Sequence, residues 1–243
     1  MSKSGHDYAP IRRFDCDVNC TELKKAARIL RHAHETAAAL RKGFTAMKEA
    51  RVGAKVPGPP TDEEQDVLRS MLVLAGAGLD AVTKQLVRDA LPKVVAVEPK
   101  ARGKLTTFAE RQLKAAEESV RRGRAAPTAE KLLASVLASA NPQAQLIEHY
   151  VTDLTANSLQ SHEELRKVAA AVGVEMSEIC DDEEVLKEAF KARNEIVHGF
   201  DMDFDHPTRN RTARHLRTLV QQTNAVLAAA EQLVRQVDAK LNA

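Results

Sequence analysis

The sequence of 243 residues contains no Trp, only two Tyr and six Phe, and only 10 Gly. Sheets draw on aromatic and β-branched residues and on frequent Gly-rich turns, so this scarcity disfavours an all-β architecture. Three Cys over this length are too few for a disulfide scaffold, and they point to a reducing, cytoplasmic setting. Neither sign of charge dominates: 36 Lys and Arg face 34 Asp and Glu, for a net +2, so any attraction for a polyanion must come from local patches. No basic start leads into an apolar run and a small-residue cleavage site, so no signal peptide is expected. The most apolar stretch, Met71 to Leu79, runs into Asp80 and Lys84 and falls short of a membrane span. What is abundant is 44% hydrophobic residues, mostly Ala, Leu and Val, with 29% charged residues. That combination specifies a folded, all-α chain of one or two domains.

Helix punctuation is frequent. Asn19 with Glu22, Thr61 with Glu64, Thr107 with Glu110, Ser161 with Glu164 and Asp181 with Glu184 each place a polar cap three residues before a Glu, the pattern of a capping box. The first predicted helix carries a stripe of Leu23, Ala26, Ala27, Leu30, Ala33, Ala37, Leu40, Phe44 and Met47. The stretch 52–60 (VGAKVPGPP) reads as a linker, and the most apolar helix then runs from Thr61 to about Leu91, ahead of Pro92. Asp80 and Lys84, four apart, can pair on one of its faces. Asn141-Pro142 opens another helix. The last predicted helix spans about 208–240, with Leu216, Leu219, Val220, Thr223, Leu227, Ala230, Leu233, Val234 and Val237 as its stripe.

The helix predicted over 182–198 contains an anomaly. With Val185 set at 0° and roughly 100° per residue, Leu186, Ala189, Phe190, Ile196 and Val197 fall between roughly 20° and 140°. Arg193 falls at roughly 80°, in the middle of that apolar stripe. A buried guanidinium needs compensation from a carboxylate, a partner subunit or an anionic ligand. Asn194 and His198, four apart, share an adjoining face, and Gly199 closes the helix. His exchanges protons near neutral pH, Arg presents planar donors matched to phosphate, and Asn adds a neutral hydrogen-bonding group. Together the three can activate an RNA 2′-hydroxyl and stabilise the phosphorane formed by its attack on the adjacent phosphate, without a metal. A structural hydrogen-bond network at a helix end uses the same residue types.

The segment Lys191-Ala192-Arg193-Asn194-Glu195-Ile196-Val197-His198-Gly199 resembles the Arg-x4-6-His signature of HEPN domains, including the polar residue that often follows the Arg. Ser158-Leu159-Gln160-Ser161 and the helix carrying Asp80 and Lys84 are similar to parts of some members. The resemblance covers residues 62–243, with 92–141 as an insertion and 1–61 as an N-terminal helical extension. It implies an all-α antiparallel helical bundle, and a homodimer in which two Arg/His sets form one cleft. It also implies metal-independent endoribonuclease activity leaving a 2′,3′-cyclic phosphate, and a toxin or antiviral-defence role with an antitoxin or defence partner. Members controlled by a nucleotidyltransferase usually carry Tyr two places after the His; this chain has Phe200 there, which argues against that mode of control. No cofactor, metal or membrane enters the implied activity. Competing readings are a non-catalytic helical dimerisation module and a nucleotide-binding regulatory subunit.

Spacing alone does not single out Arg193, because Arg28 to His34 and Arg209 to His215 also satisfy it. Two basic regions are candidates for the phosphate backbone. Residues 100–124 contain Lys100, Arg102, Lys104, Arg111, Lys114, Arg121, Arg122 and Arg124; Arg209, Arg211, Arg214 and Arg217 stand where the last helix is predicted to start, with Arg214 and Arg217 on one face. With so few aromatics, RNA contacts are expected through phosphate and 2′-hydroxyl rather than base stacking. Asp201-x-Asp203-x-Asp205 fails as an EF-hand loop, with His206 in place of Gly and Thr212 in place of Glu, and reads as a polar connection. Cys16 and Cys20 with His32 and His34 do not make a zinc set, since the two His lie two apart on a helix and face different ways.

Overall fold

The computed structural model describes residues 10–56, 58–122, 127–202 and 211–243. Among the described residues it is all-α. A 3-10 turn at Thr21–Leu23 leads into α1 (Lys24–Gly53), followed by α2 (Asp62–Val97), α3 (Pro99–Arg122), α4 (Pro127–Ala138), α5 (Pro142–Thr155), α6 (His162–Ala171), α7 (Met176–Ile179), α8 (Glu183–Gly199) and α9 (Leu216–Asn242).

The central helix is α2. By length and composition it could cross a membrane, with a mean hydropathy of 1.2 over its most apolar window, but half of that window is buried inside the protein. Leu68, Met71, Leu72, Ala75, Leu79, Val82, Leu86, Val87, Leu91 and Val94 are all buried, so its apolar composition serves a core surrounded by other helices. Helix α1 runs antiparallel to it, as the pairs Glu22–Lys93, Lys25–Asp89 and Arg51–Glu64 show. The two helices approach closely where a Cβ added to Gly78 would lie 2.5 Å from the Ala33 Cβ. Residues of α1 belong to the same core as α2, α8 and α9. Helix α8 also runs antiparallel to α2, with Arg193 against Gly76 and Asp201 against Arg69.

Local capping set several boundaries. Thr61–Glu64 and Ser161–Glu164 form complete capping boxes, and the Asn141 side chain caps α5 at the Ala144 N–H. Elsewhere tertiary contacts prevail over the local pattern. Asn19 does not cap: its N–H and that of Cys20 donate to the Asp238 carboxylate of α9, and Glu22 turns to Lys93. Pro92 does not end α2, which continues to Val97. Pro92 is exposed, and burial of Leu91, Val94 and Val95 at about 1.5–3 kcal/mol each exceeds the roughly 3 kcal/mol that an internal Pro costs. Thr107 lies mid-helix with its hydroxyl on the Gly103 carbonyl, because α3 already starts at Pro99, where Glu98 accepts from the Lys100 N–H. Helix α8 is capped by Asp182, one residue after the expected Asp181. Gly173, which ends the α6 segment at φ +73°, is required there: a Cβ would come within 2.5 Å of Glu98 Cγ.

The last helix starts at Leu216 rather than near 208; residues 208–210 lie outside the described residues. Segment 211–215 is not helical because it is tied back to the end of α8. Met202 and Arg211 form an antiparallel bridge, and the Thr212 N–H donates to the Asp201 carbonyl at 2.7 Å. Arg214 therefore does not share a helix face with Arg217, the correction that matters most for the site.

Candidate functional site

Arg193 and Asn194 lie on the inner side of α8, both half-buried, and His198 is exposed near its C-terminal end. The Arg193 Nη1 donates to the Asn194 Oδ1 at 3.0 Å, and the Asn194 Nδ2 donates to the Gln160 carbonyl at 2.9 Å. Asn194 thus ties the guanidinium to the loop between α5 and α6. That loop is itself fixed to α2: the Leu159 N–H donates to Asp80 Oδ1 at 2.7 Å, while Lys84 holds Asp80 Oδ2 at 2.9 Å. A cavity of about 60 Å³ beside this contact is lined by Asp80, Thr83, Lys84, Ser158 and Lys167. The arrangement brings together the three segments on which the sequence resemblance rests.

Arg193 pairs with no carboxylate among the described residues. Asp80 of α2 is committed to Lys84 and to the loop. The aliphatic stem of Arg193 rests on Gly76, where an added Cβ would lie 3.5 Å from Arg193 Cγ and 3.8 Å from Nε. Those are ordinary contact distances, so Gly76→Ala is expected to be tolerated and to raise stability by about 0.5–1 kcal/mol through helix propensity. Gly76→Leu is expected to displace Arg193 from Asn194 and to lower any activity that depends on it. Melting curves and turnover measured side by side check both outcomes.

His198 is exposed and makes no hydrogen bond or ion pair with a described residue. It sits just before a turn made by two residues in the left-handed region, Phe200 at φ 51° and Asp201 at φ 59°. Asp201 is buried and accepts from Arg69 Nε at 2.8 Å and Arg214 Nε at 3.0 Å. Burial would raise its pKa, but the hydrogen bonds from Arg214 and Arg69 outweigh burial and hold the carboxyl below its usual value. Arg69 also reaches Asp66 and the Thr212 carbonyl, and Gln65 exchanges hydrogen bonds with the Arg214 backbone. Sequence reasoning passed over this network. The available signal was the one used for Arg193, an arginine within an apolar helix: Arg69 lies between Leu68 and Met71 and is 3% exposed.

The four arginines expected to meet substrate are in different situations. Arg214 bridges Asp201 and Glu195. Arg211 pairs with Asp66 at 2.6 Å and donates from Nε to the Phe200 carbonyl at 3.2 Å. Arg217 is exposed on the first turn of α9 without a described partner. Arg209 lies outside the described residues, as do Asp203, Asp205 and His206. In the other basic region, Arg111 and Lys167 share Asp153, Lys100 pairs with Glu175, and Arg102 caps the carbonyls of Val95 and Ala96; Arg124 is outside the described residues.

Of the alternative spacings, Arg28 is exposed while His34 is buried, its Nδ1 on the Arg12 carbonyl and its Nε2 facing Glu231 at 3.8 Å. The pair therefore diverges. His32 is exposed against Glu35, Cys16 is buried with its thiol pushed up to about 11 by burial, and among the described residues no three His, Cys, Asp or Glu side chains gather around a common point. Comparison with family models, with curated proteins and with solved structures returns no match.

Proposed function

We propose that this protein is a HEPN-type, metal-independent endoribonuclease with His198 as its proton-transfer residue, Arg193 as its phosphate clamp and Asn194 as the orienter of that clamp. The observation that carries the reading is a half-buried guanidinium that pairs with no described carboxylate and is held by the adjacent amide, on a helix that also carries an exposed His near its end. Such a group is complementary to an anion that arrives from outside.

In the reaction the 2′-oxygen forms a bond to phosphorus as its proton passes to an imidazole, and the bond to the 5′-oxygen breaks as that oxygen takes up a proton. A cyclic phosphate and a 5′-hydroxyl result. Arg193 stabilises charge on the non-bridging oxygens of the phosphorane. One imidazole cannot sit on both sides of the phosphorus at once. A homodimer that brings two copies of α8 together would supply one His as base and the other as acid. Val197, one turn beyond Arg193 on the same face, is exposed and available for such a contact. Toxin or antiviral-defence action in the cytoplasm, with an antitoxin or defence partner, is the setting this chemistry suits.

The purified protein is expected to cut single-stranded RNA in EDTA and to leave 2′,3′-cyclic phosphate ends. An RNA with 2′-deoxy nucleotides at the mapped cleavage positions is expected to resist. Dependence on an added divalent metal, or cutting of the deoxy substrate, would overturn the assignment.

A further inference from the structure

The turn after α8 uses unexpected residues. Gly199, the residue best suited to a left-handed conformation, is still helical, and the two left-handed positions fall on Phe200 and Asp201. The reason for Asp201 is plain, since its carboxylate must reach Arg69 and Arg214. Phe200 stands at the left-handed position that ends α8, with its N–H on the Ile196 carbonyl and the Asp201 N–H on the Glu195 carbonyl, so its backbone serves the helix end while its ring does not. Its side chain is 71% exposed, whereas Phe44, Phe108, Phe190 and Tyr150 are all buried. The ring adds no burial to the fold, and Phe200 is the one Phe or Tyr side chain among the described residues that is left exposed. The ring is also held in place: the N–H of Phe200 bonds to Ile196, and its carbonyl accepts from Arg211. It therefore stands two residues from the exposed His198, on a backbone fixed at both its N–H and its carbonyl.

We propose that Phe200 is the stacking platform for the base next to the scissile phosphate, so that the substrate is RNA with an unpaired base at that position. This rests on the ribonuclease reading and adds to it a base-recognition element, the one exposed Phe or Tyr among the described residues. Arg217, also exposed, supplies positive charge for the backbone on α9. Stacking tolerates every base but requires that the base be out of a duplex, which makes single-strandedness the first selectivity of the site.

The test uses the full chain carrying His198→Ala, so that bound RNA survives, and a single-stranded RNA with 2-aminopurine scanned along it, whose fluorescence is quenched by stacking. One 2-aminopurine position is expected to be quenched on binding. Adding Phe200→Gly should abolish that quench and weaken binding by about 10-fold, while Phe200→Trp preserves both. Because Gly accepts the left-handed backbone, the Gly variant should melt no lower than its parent. Unchanged quenching and affinity in the Gly variant would overturn the proposal. So would loss of dimer in that variant, which would place Phe200 between two copies. Wild-type protein that stacks a base through Phe200 yet never cuts RNA in EDTA would sink the ribonuclease reading and leave the stacking site standing. Cleavage that ignores Phe200 would do the reverse.

Discussion

His198→Ala is expected to lower kcat for cleavage of single-stranded RNA by about 10³-fold or more while leaving the fold intact. The ring is exposed and bonded to no described residue, so truncation removes no buried group and should change stability by no more than about 0.5 kcal/mol. Arg193→Ala should cost about 10²–10³-fold, the range for removing one preorganised donor from a charge that develops in the transition state. Arg193→Lys should recover little of this, because an ammonium cannot hold the Asn194 amide and present a second donor to phosphate in the same plane. The double variant should be little worse than His198→Ala alone, since residues that act as one unit lose activity together. Turnover of a fluorogenic RNA and thermal melts, measured on the same preparations, decide between roles. An Arg193→Ala protein that loses stability or dimerisation, from a parent that never cut RNA, would make Arg193 and His198 parts of an interaction module instead.

Where a helix boundary is set by residues next to it in sequence, the boundary was legible. Thr61, Asn141 and Ser161 cap helices through their own side chains within three residues. Where the partner comes from far along the chain, the local pattern misleads. Asn19 and Glu22 have the composition of a capping box, but Asp238 supplies the acceptor and Lys93 takes the Glu. The residues 211–215 have no strong signal against helix; they are extended because distant partners hold them, the Asp201 carbonyl on the Thr212 N–H, Gln65 on the Arg214 backbone and the Asp201 carboxylate on the Arg214 side chain.

The candidate site divides in the same way. Period 3.6 put Arg193 and Val197 together on the apolar stripe of α8; Arg193 is half-buried against Gly76, whereas Val197, one turn nearer the helix end, is exposed. The groups that orient Arg193 were not readable, because one is a backbone carbonyl, Gln160, and the other is the absence of a side chain at Gly76. A pattern of side-chain types carries no information about which carbonyl is free. Charge counting likewise overstated the arginines of 209–217: composition shows four cations in nine positions, but geometry gives Arg214 two carboxylates and Arg211 one.

That pairing leads to the second large effect, on stability. Asp201→Asn is expected to destabilise the protein by about 3 kcal/mol at neutral pH, near the lower end of the range for breaking a buried pair by removing one partner. The lower end applies because Arg69 keeps Asp66 and Arg214 keeps Glu195. Asn tolerates a left-handed backbone, so the substitution removes charge without forcing the turn. For a chain of this length the change corresponds to a melting temperature lower by roughly 6–12 °C. Asp201 is held below its ordinary carboxyl pKa, so its contribution is present in full above that ordinary value, about 3.9, and disappears as pH falls through the lower folded value. The gap between wild type and variant should therefore be constant from neutral pH down to about 5 and then close on acidification. Melting curves over that range check it. A gap of under about 1 °C at neutral pH, or one that widens in acid, would show that Asp201 is not the carboxylate that fastens the end of α8, and with it His198, to α2.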